Sequence, residues 1–128
     1  MKYLIIILVL YLTTGCSDEN QEASKQVHVD YKSYSTAGFH GETYSIHFNE
    51  IEENSLCPEN ATCVWLGRIV ANLTINDNNY VIGFGDLNSS EIKELAEVNN
   101  VKVKIVDVID YDSNESTTLI LEFFLGED

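Results

Sequence analysis

The chain has 128 residues, and its 7 Lys and Arg against 21 Asp and Glu give a formal net charge of −14. Nucleic acid is therefore not expected as a partner, because its binding depends on Lys and Arg at the phosphates. The acidic residues are spread along the chain and 45% of all residues are hydrophobic, so a folded domain is expected and a disordered acidic tail is not.

The N-terminus has the pattern of a bacterial lipoprotein signal. Lys2 provides a positive start, and residues 4–12 form an unbroken apolar run. A run of this length suits the hydrophobic region of a secretory signal and is too short to span a membrane. Small residues follow, and then Cys16, which resembles the cysteine that bacterial lipoproteins carry in lipidated form as their new N-terminus. The alternative is an ordinary signal peptide cleaved near Gly15, which would leave Cys16 as a stray thiol.

A lipidated Cys16 predicts an extracytoplasmic protein anchored to a membrane of the bacterial cell envelope. Two or more acyl chains, such as palmitate, anchor a protein stably where one chain does so marginally. Asp18 and Glu19 resemble a surface-export tag of lipoproteins in some Gram-negative bacteria, which favours the outer membrane or the cell surface. The predicted segments are a signal peptide at residues 1–15, the lipidated cysteine with a flexible polar tether at residues 16–25, and a single β-rich domain at residues 26–128.

Alternating hydrophobic and polar residues predict strands throughout this domain. Tyr44, Ile46 and Phe48, for example, point one way and their polar neighbours the other. A change of phase between Ile105 and Val106 predicts a bulge or burial on both faces of a late strand. The predicted strands are residues 27–31, which have the pattern of an edge strand, and residues 42–51, 68–75, 80–84, 101–110 and 119–125.

One segment has helical periodicity instead. Ile92, Leu95 and Ala96 lie on one face of a short helix over residues 89–98, and a polar residue among 88–90 is expected to cap it. About six short strands with one short helix predict a mostly antiparallel β-sandwich or barrel. The remaining connections are predicted to be two loops and two turns, at residues 33–41, 50–63, 76–79 and 111–116.

Cys57 and Cys63 are expected to form a structural disulfide. With Cys16 used for lipid, two cysteines remain, and an even number outside the cytoplasm implies pairing. Two alternatives stay open. A zinc site needs about four ligands and usually a closer cysteine spacing. A thioredoxin-like redox pair needs two residues between its cysteines and a helix N-terminus.

The only tryptophan of the chain follows two positions after Cys63. Trp65 is predicted to belong to the structural core, because its ring offers a large apolar area. Together with Val64 it is expected to cover the sulfur atoms and to begin the next strand. Gly67 is expected to permit a turn or a close approach of the backbone.

Residues 41–75 resemble a family of small, uncharacterised bacterial secreted proteins and lipoproteins. The family pattern is a strand ending near F-x-x-(V/I), a D-S-R-C-P turn, a short spacer, then C-(V/I)-W-x-G and an alternating strand. The late strand is also similar, with Asp110 in place of the family's proline before Tyr111. The resemblance implies a secreted β domain and no particular activity. The matching positions are Phe48, Ile51, Asn54, Ser55, Leu56, Cys57, Pro58, Cys63, Val64, Trp65 and Gly67, of which Asn54 and Leu56 replace the usual Asp and Arg and so remove any ion pair between them.

Asp110, Asp112 and Asn114 resemble the start of a calcium-binding loop, with Glu115 directly after them. The expected glycine is missing, and the twelfth position is Leu121, where such a loop has glutamate. Turns between strands are also rich in Asp, Asn and Ser. A plain turn is therefore the prediction, and a calcium site is the alternative.

The three histidines, His28, His40 and His47, would form a metal or acid–base site only if the fold brought them together. Their irregular spacing favours ordinary solvated histidines. A metal-binding module accordingly stays as an alternative to the main interpretation.

Glu50, Glu52 and Glu53 could supply the carboxylate pair of an envelope hydrolase acting on glycosides. Neighbouring acids in a loop are usually solvated, and the chain has no G-x-S-x-G elbow, phosphate loop or other motif that requires a cofactor. The favoured function is a non-enzymatic binding or structural module, anchored through its lipid, whose loops at one end of the sandwich meet an envelope protein or ligand.

Overall fold

The computed structural model describes residues 23–58, 60–65, 67–87 and 91–126. Eight strands form two four-stranded antiparallel sheets, which confirms the predicted β-sandwich and gives no closed barrel in this part of the chain. A 3₁₀ turn at Asn114–Ser116 accompanies them, and no described helix is long and apolar enough to cross a bilayer. The strands are β1 (Ser24–Asp30), β2 (Tyr34–Phe39), β3 (Glu42–Asn54), β4 (Arg68–Ile75), β5 (Asn78–Gly85), β6 (Leu95–Val98), β7 (Val101–Ile109) and β8 (Thr118–Leu125), in the orders β1-β8-β7-β6 and β2-β3-β4-β5.

The core lies between the two sheets and is built from the predicted alternation. All four inward residues of β4 and the inward residues of β8 up to Phe123 are fully buried. The ring of Tyr44 packs against that of Phe123, with centroids 5.2 Å apart. Burial raises the pKa of Tyr44, with a further contribution from the Glu42 carboxylate. Full burial of a Val, Leu, Ile or Phe side chain of this core stabilises the fold by about 1.5–3 kcal/mol relative to its exposed state.

The predicted loop at residues 33–41 is wrong, because β2 occupies most of it. Ala37 and Phe39 are buried while Thr36 and Gly38 are exposed, so the segment follows the period of a half-buried strand despite its small residues. It pairs with β3 as a hairpin closed by His40 and Gly41. The predicted edge strand β1 is confirmed, since among the described strands it pairs with β8 alone.

The helix predicted over residues 89–98 is also wrong. Within residues 91–98, Leu95–Val98 forms β6, with Ala96 and Val98 buried and Glu97 exposed. Asn99 and Asn100 follow with φ of 49° and 70°, the conformation of a two-residue hairpin turn that starts β7. Burial against the core and this turn outweigh a helical pattern of only three apolar residues.

Two bulges lengthen β3 beyond its predicted end. Its pairing with β4 shifts between Phe48 and Glu50 and again between Ile51 and Glu53, and the strand continues to Asn54. The first part of the predicted acidic loop is therefore strand. The predicted irregularity in β7 is confirmed as a bulge, since the register with β8 shifts after Ile105.

The sandwich has two ends, which we call the tether end and the loop end. Ser24 pairs with Phe124, so the chain enters β1 at the end where β8 finishes, and this is the tether end. Asp30 pairs with Thr118, at the loop end, where β8 begins. A seven-residue strand such as β1 spans about 20 Å between them. Ser24 and Lys25 thus belong to β1 and not to the predicted tether, whereas residues 1–22, with the predicted signal and Cys16, lie outside the described residues.

Candidate functional site

The disulfide between Cys57 and Cys63 is confirmed. Their Cα atoms lie 5.8 Å apart, in the connection from β3 to β4 at the loop end. We call residues 55–67 the disulfide loop. A bridge over a sequence separation of 6 contributes about 2 kcal/mol by restricting the unfolded chain. The bridge therefore stabilises a connection that would otherwise be one of the freest parts of the domain.

An ion pair and a backbone clasp hold the base of the disulfide loop. The Nε–H of Arg68 points between the two carboxylate oxygens of Glu53, each 3.1 Å from Nε. Nη2 of Arg68 also lies 3.0 Å from Oε2 of Glu53. The Ser55 amide donates to the Arg68 carbonyl at 2.8 Å, and the Arg68 amide donates to the Ser55 hydroxyl at 3.1 Å. The ladder between β3 and β4 is thus extended by one more step before the loop opens.

The predicted role of Gly67 as a site of close backbone approach is confirmed. Its φ is 72°, in the left-handed region, and a Cβ atom there would clash with the carbonyl oxygen of Ser55. The amide of Asp86 donates to the Gly67 carbonyl at 2.9 Å, which ties the loop to the end of β5. Only glycine lets the loop return so tightly onto the strand it left.

The prediction that Trp65 belongs to the core is wrong. Its side chain is 56% exposed, Val64 is 100% exposed, and the next strand begins only at Arg68. The indole N–H of Trp65 donates to the Ser55 carbonyl at 3.0 Å, which fixes the ring at the rim of the loop. Leu56 packs against the core in its place, half-buried. Val64 and Trp65 therefore form an exposed apolar pair, which we call the tip.

Tyr111 joins the disulfide loop to the connection between β7 and β8. The Tyr111 hydroxyl donates to the Cys57 carbonyl at 3.0 Å, and the Tyr111 carbonyl accepts from the side-chain amide nitrogen of Asn54 at 2.9 Å. The ring is half-buried and packs against the core. The described residues of the disulfide loop and the turn at residues 110–117 consequently form one connected surface at the loop end.

The predicted calcium candidates lie in this turn and build it. Asp110 has φ of 53°, and its carbonyl accepts from the Ser116 hydroxyl at 2.6 Å. Asp112 and Asn114 are exposed. Leu121, at the twelfth position, is fully buried in β8 and cannot act as a ligand. Among the described residues, no three His, Cys, Asp or Glu side chains converge in a way that could hold a metal ion. These observations favour the turn interpretation.

The three histidines lie on separate parts of the fold. His28 is exposed on β1, and His40 lies in the turn after β2, with its ring 4.3 Å from that of Phe39. His47 lies on the outer face of β3, where its ring stacks at 4.1 Å on the exposed ring of Tyr34. They do not form a shared site.

The three glutamates considered for hydrolysis lie on β3. Glu53 is paired with Arg68, and Glu52 accepts from the Asn72 amide at 3.4 Å. Glu50 is exposed opposite Asn72. The bulges turn all three toward the outer face of the sheet, and the contacts of Glu52 and Glu53 are structural.

A cleft of about 410 Å³ lies between β5 and β7, where β6 stops short. Its polar lining includes Lys104, whose ammonium lies 3.7 Å from the Glu122 carboxylate.

Beyond the cleft, the Asp107 carboxylate accepts a hydrogen bond from the backbone amide of Val108 in β7 at 2.8 Å. A side chain that occupies an edge amide protects the strand against pairing with another chain.

Comparison of the chain with protein-family models, with curated protein sequences and with solved structures finds no match. The resemblance to bacterial secreted proteins and lipoproteins therefore stays a prediction from the cysteine–tryptophan motif.

Proposed function

We infer that the chain is a non-enzymatic binding module of the bacterial cell envelope, anchored through a lipidated Cys16 and docking a protein partner at its loop end. The observation that carries this inference is the tip. Val64 and Trp65 are exposed on a loop that is fixed by the disulfide, by Gly67 and by the Ser55 clasp. Tryptophan is enriched among the residues that dominate binding energy at interfaces, and a rigid loop loses little conformational entropy on binding.

The charge around the tip indicates what kind of protein the partner is. The described residues of the disulfide loop and of the turn at residues 110–117 contain three acidic residues and no Lys or Arg: Asp110, Asp112 and Glu115. Complementary charge steers association and disfavours wrong partners. The partner proposed here is therefore a protein with a basic surface around an apolar pocket that receives the Trp65 ring.

The position of the tip agrees with membrane anchoring. The chain enters β1 at the tether end, and the disulfide loop lies at the opposite end, about 20 Å further along the strands. A domain held at Cys16 would thus direct its tip away from the membrane. The eight residues from 16 to 23 can extend by at most about 28 Å, which keeps the domain near the membrane surface.

Site-specific photo-cross-linking in the native host tests the docking. A photoreactive residue replaces Val64 in one strain and His28 in another, since His28 is exposed on β1, in the other sheet from the strands that carry the tip. The expected result is a discrete cross-linked protein from position 64 that is absent from position 28 and is lost in the Trp65→Ala background. Equal labelling from both positions, or none from position 64, would refute docking at the tip.

Metabolic labelling with an alkyne analogue of palmitate tests the anchor separately. The full-length protein should take up the label and fractionate with membranes, and the Cys16→Ser variant should do neither. An unlabelled wild-type protein in the soluble fraction would contradict the lipid anchor without bearing on the tip.

A further inference from the structure

A second surface, unrelated to the tip, stands out on the outer face of the β2-β3-β4-β5 sheet. The register aligns Tyr34 with His47, His47 with Thr74, and Thr74 with Asn79, so that one row of side chains crosses all four strands. Asn72 continues the surface in the next row, beside Glu50. We call this surface the polar face, and its remaining members are Asn49 and Glu52.

The first bulge of β3 supplies the centre of the polar face. Asn49 is the extra residue of that bulge and has no partner of its own in β4. Its side-chain amide nitrogen lies within hydrogen-bond distance of three acceptors, Asn72 Oδ1 at 3.0 Å, Thr74 Oγ1 at 2.8 Å and Asn79 Oδ1 at 3.3 Å, and shares its two hydrogens among them. Its amide oxygen accepts from Nδ1 of His47. One half-buried side chain therefore links three strands.

This network fixes the direction of each hydrogen bond. Because the Asn49 nitrogen faces three oxygen atoms, its own oxygen faces His47, whose Nδ1 then carries the proton. Asn72 in turn donates to Glu52 Oε1 at 3.4 Å. Hydrogen bonds chained in one direction polarise one another. Within the described residues, this network orients further donors and acceptors that it does not use itself: the Asn79 amide, the Thr74 hydroxyl and Nε2 of His47. The exposed Glu50 carboxylate lies beside them as an additional acceptor.

An aromatic shelf borders these polar groups. Tyr34 is 75% exposed, and its ring lies 4.1 Å from the His47 ring at an interplanar angle of 31°. The imidazole supports one side of the phenol ring, and the large exposed fraction leaves the other side open to a ligand. A phenol ring that is held in place can bind with little further loss of side-chain freedom.

We propose that the polar face binds a neutral carbohydrate chain. Sugar hydroxyl groups both donate and accept hydrogen bonds, which matches a surface that displays both. The weakly positive C–H side of a sugar ring suits the negative face of an aromatic ring such as Tyr34. Glu50 and Glu52, together with the net charge of −14, disfavour an anionic ligand. An apolar peptide would leave the amides of this face without partners after desolvation.

Affinity electrophoresis tests this proposal with the folded, disulfide-bonded protein in gels that contain dextran, mannan or galactomannan as neutral probes and alginate as the anionic probe. At least one neutral polysaccharide is expected to retard the wild-type protein, while alginate does not. Tyr34→Ala should weaken this retardation about tenfold, because it removes the stacking ring. Tyr34→Phe should bind within about twofold of wild type, since it keeps the ring.

Gln26→Ala is the matched control, because Gln26 is exposed on the outer face of the other sheet. It should bind like wild type, and Asn49→Ala, which removes the centre of the network, should bind more weakly. Circular dichroism checks that each variant is folded. Failure of all three neutral polysaccharides to retard the wild-type protein, equal retardation by alginate, or unchanged binding by folded Tyr34→Ala would each overturn the proposal. None of these results depends on the tip or on the lipid.

Discussion

At the tether end, three two-residue turns join the strands, whereas at the loop end the connections from β3 to β4 and from β7 to β8 run through residues 55–67 and 110–117. The short turns are His40–Gly41, Asn76–Asp77 and Asn99–Asn100, and all six residues have positive φ. Such turns match the twist of the strands and set the register of each hairpin.

The loop end needs additional restraints, because closing a longer connection costs more entropy. These restraints are the disulfide, the hydrogen bond from the Tyr111 hydroxyl to the Cys57 carbonyl, and the close packing of the Gly67 backbone against Ser55. Long connections held on a rigid scaffold are where proteins place binding residues. The short turns therefore hold the tether end without further restraint, whereas the loop end is stabilised by the disulfide and its neighbouring contacts and remains available for recognition.

The largest expected effect is a loss of core packing. Phe123→Ala should lower the free energy of unfolding by about 3–5 kcal/mol, because Phe123 is fully buried against Tyr44. Phe124→Ala is the matched control, since its neighbouring ring is only half-buried on the outer face of the same strand. Urea unfolding measures both variants. Equal losses would mean that the inward and outward faces of β8 are assigned incorrectly.

Removal of the disulfide should have the next largest effect. The double variant Cys57→Ser with Cys63→Ser should lose about 2 kcal/mol of unfolding free energy. In addition to this loss for the whole domain, amide exchange should accelerate more around Arg68 than at Ile75 in the same strand, because the base of the loop opens locally. Uniform acceleration along β4 would show that the bridge acts only on the unfolded chain and does not restrain the loop end.

A short turn at the tether end should matter somewhat less. Asn76 has φ of 49°, and its side-chain oxygen accepts the Ser45 amide at 3.0 Å. Asn76→Ala should therefore lower the unfolding free energy by about 1–2 kcal/mol, through backbone strain and the lost hydrogen bond. Asn76→Gly removes only the hydrogen bond and should lose less. Thermal unfolding that ranks glycine below alanine would contradict this account of the turn.

The smallest expected effect on stability is at the tip. Trp65→Ala removes one hydrogen bond and little buried area, so its unfolding free energy should change by less than about 1 kcal/mol. The same variant should abolish the cross-link from position 64. A loss of unfolding free energy as large as that of Phe123→Ala would show that Trp65 is buried in the core and not exposed at the tip.

Much of the fold can be predicted from the sequence, because a buried sheet face imposes a period of two. β4 begins and ends where the pattern from Arg68 to Ile75 predicts. The sequence does not predict β2, because the small residues around Ala37 make its alternation of buried and exposed positions hard to recognise. It does not predict β6 either, because three apolar residues in residues 89–98 have helical spacing. The pair Asn99–Asn100 is the sequence signal that indicates the β6–β7 hairpin.

The candidate sites are less predictable. The disulfide follows from cysteine number, and the constraint at Gly67 follows from its position. Exposure of Trp65 depends on where β4 begins, which its apolar character alone does not indicate. The polar face depends on the bulge at Asn49, which becomes visible only when β3 and β4 are paired. The φ of 53° at Asp110 excludes the proline that the resembled family has there, so this turn differs from the family pattern.

The most direct test of the two-ended arrangement measures height above a membrane. Lipidated protein is reconstituted on vesicles that contain acceptor lipids, with a donor dye on a clickable residue at position 64 or at position 78, which lies at the tether end beside the Asn76–Asp77 turn. Energy transfer should be clearly weaker from position 64, which lies about 20 Å further along the strands. Equal or stronger transfer from position 64 would contradict an anchored domain that directs its tip away from the membrane.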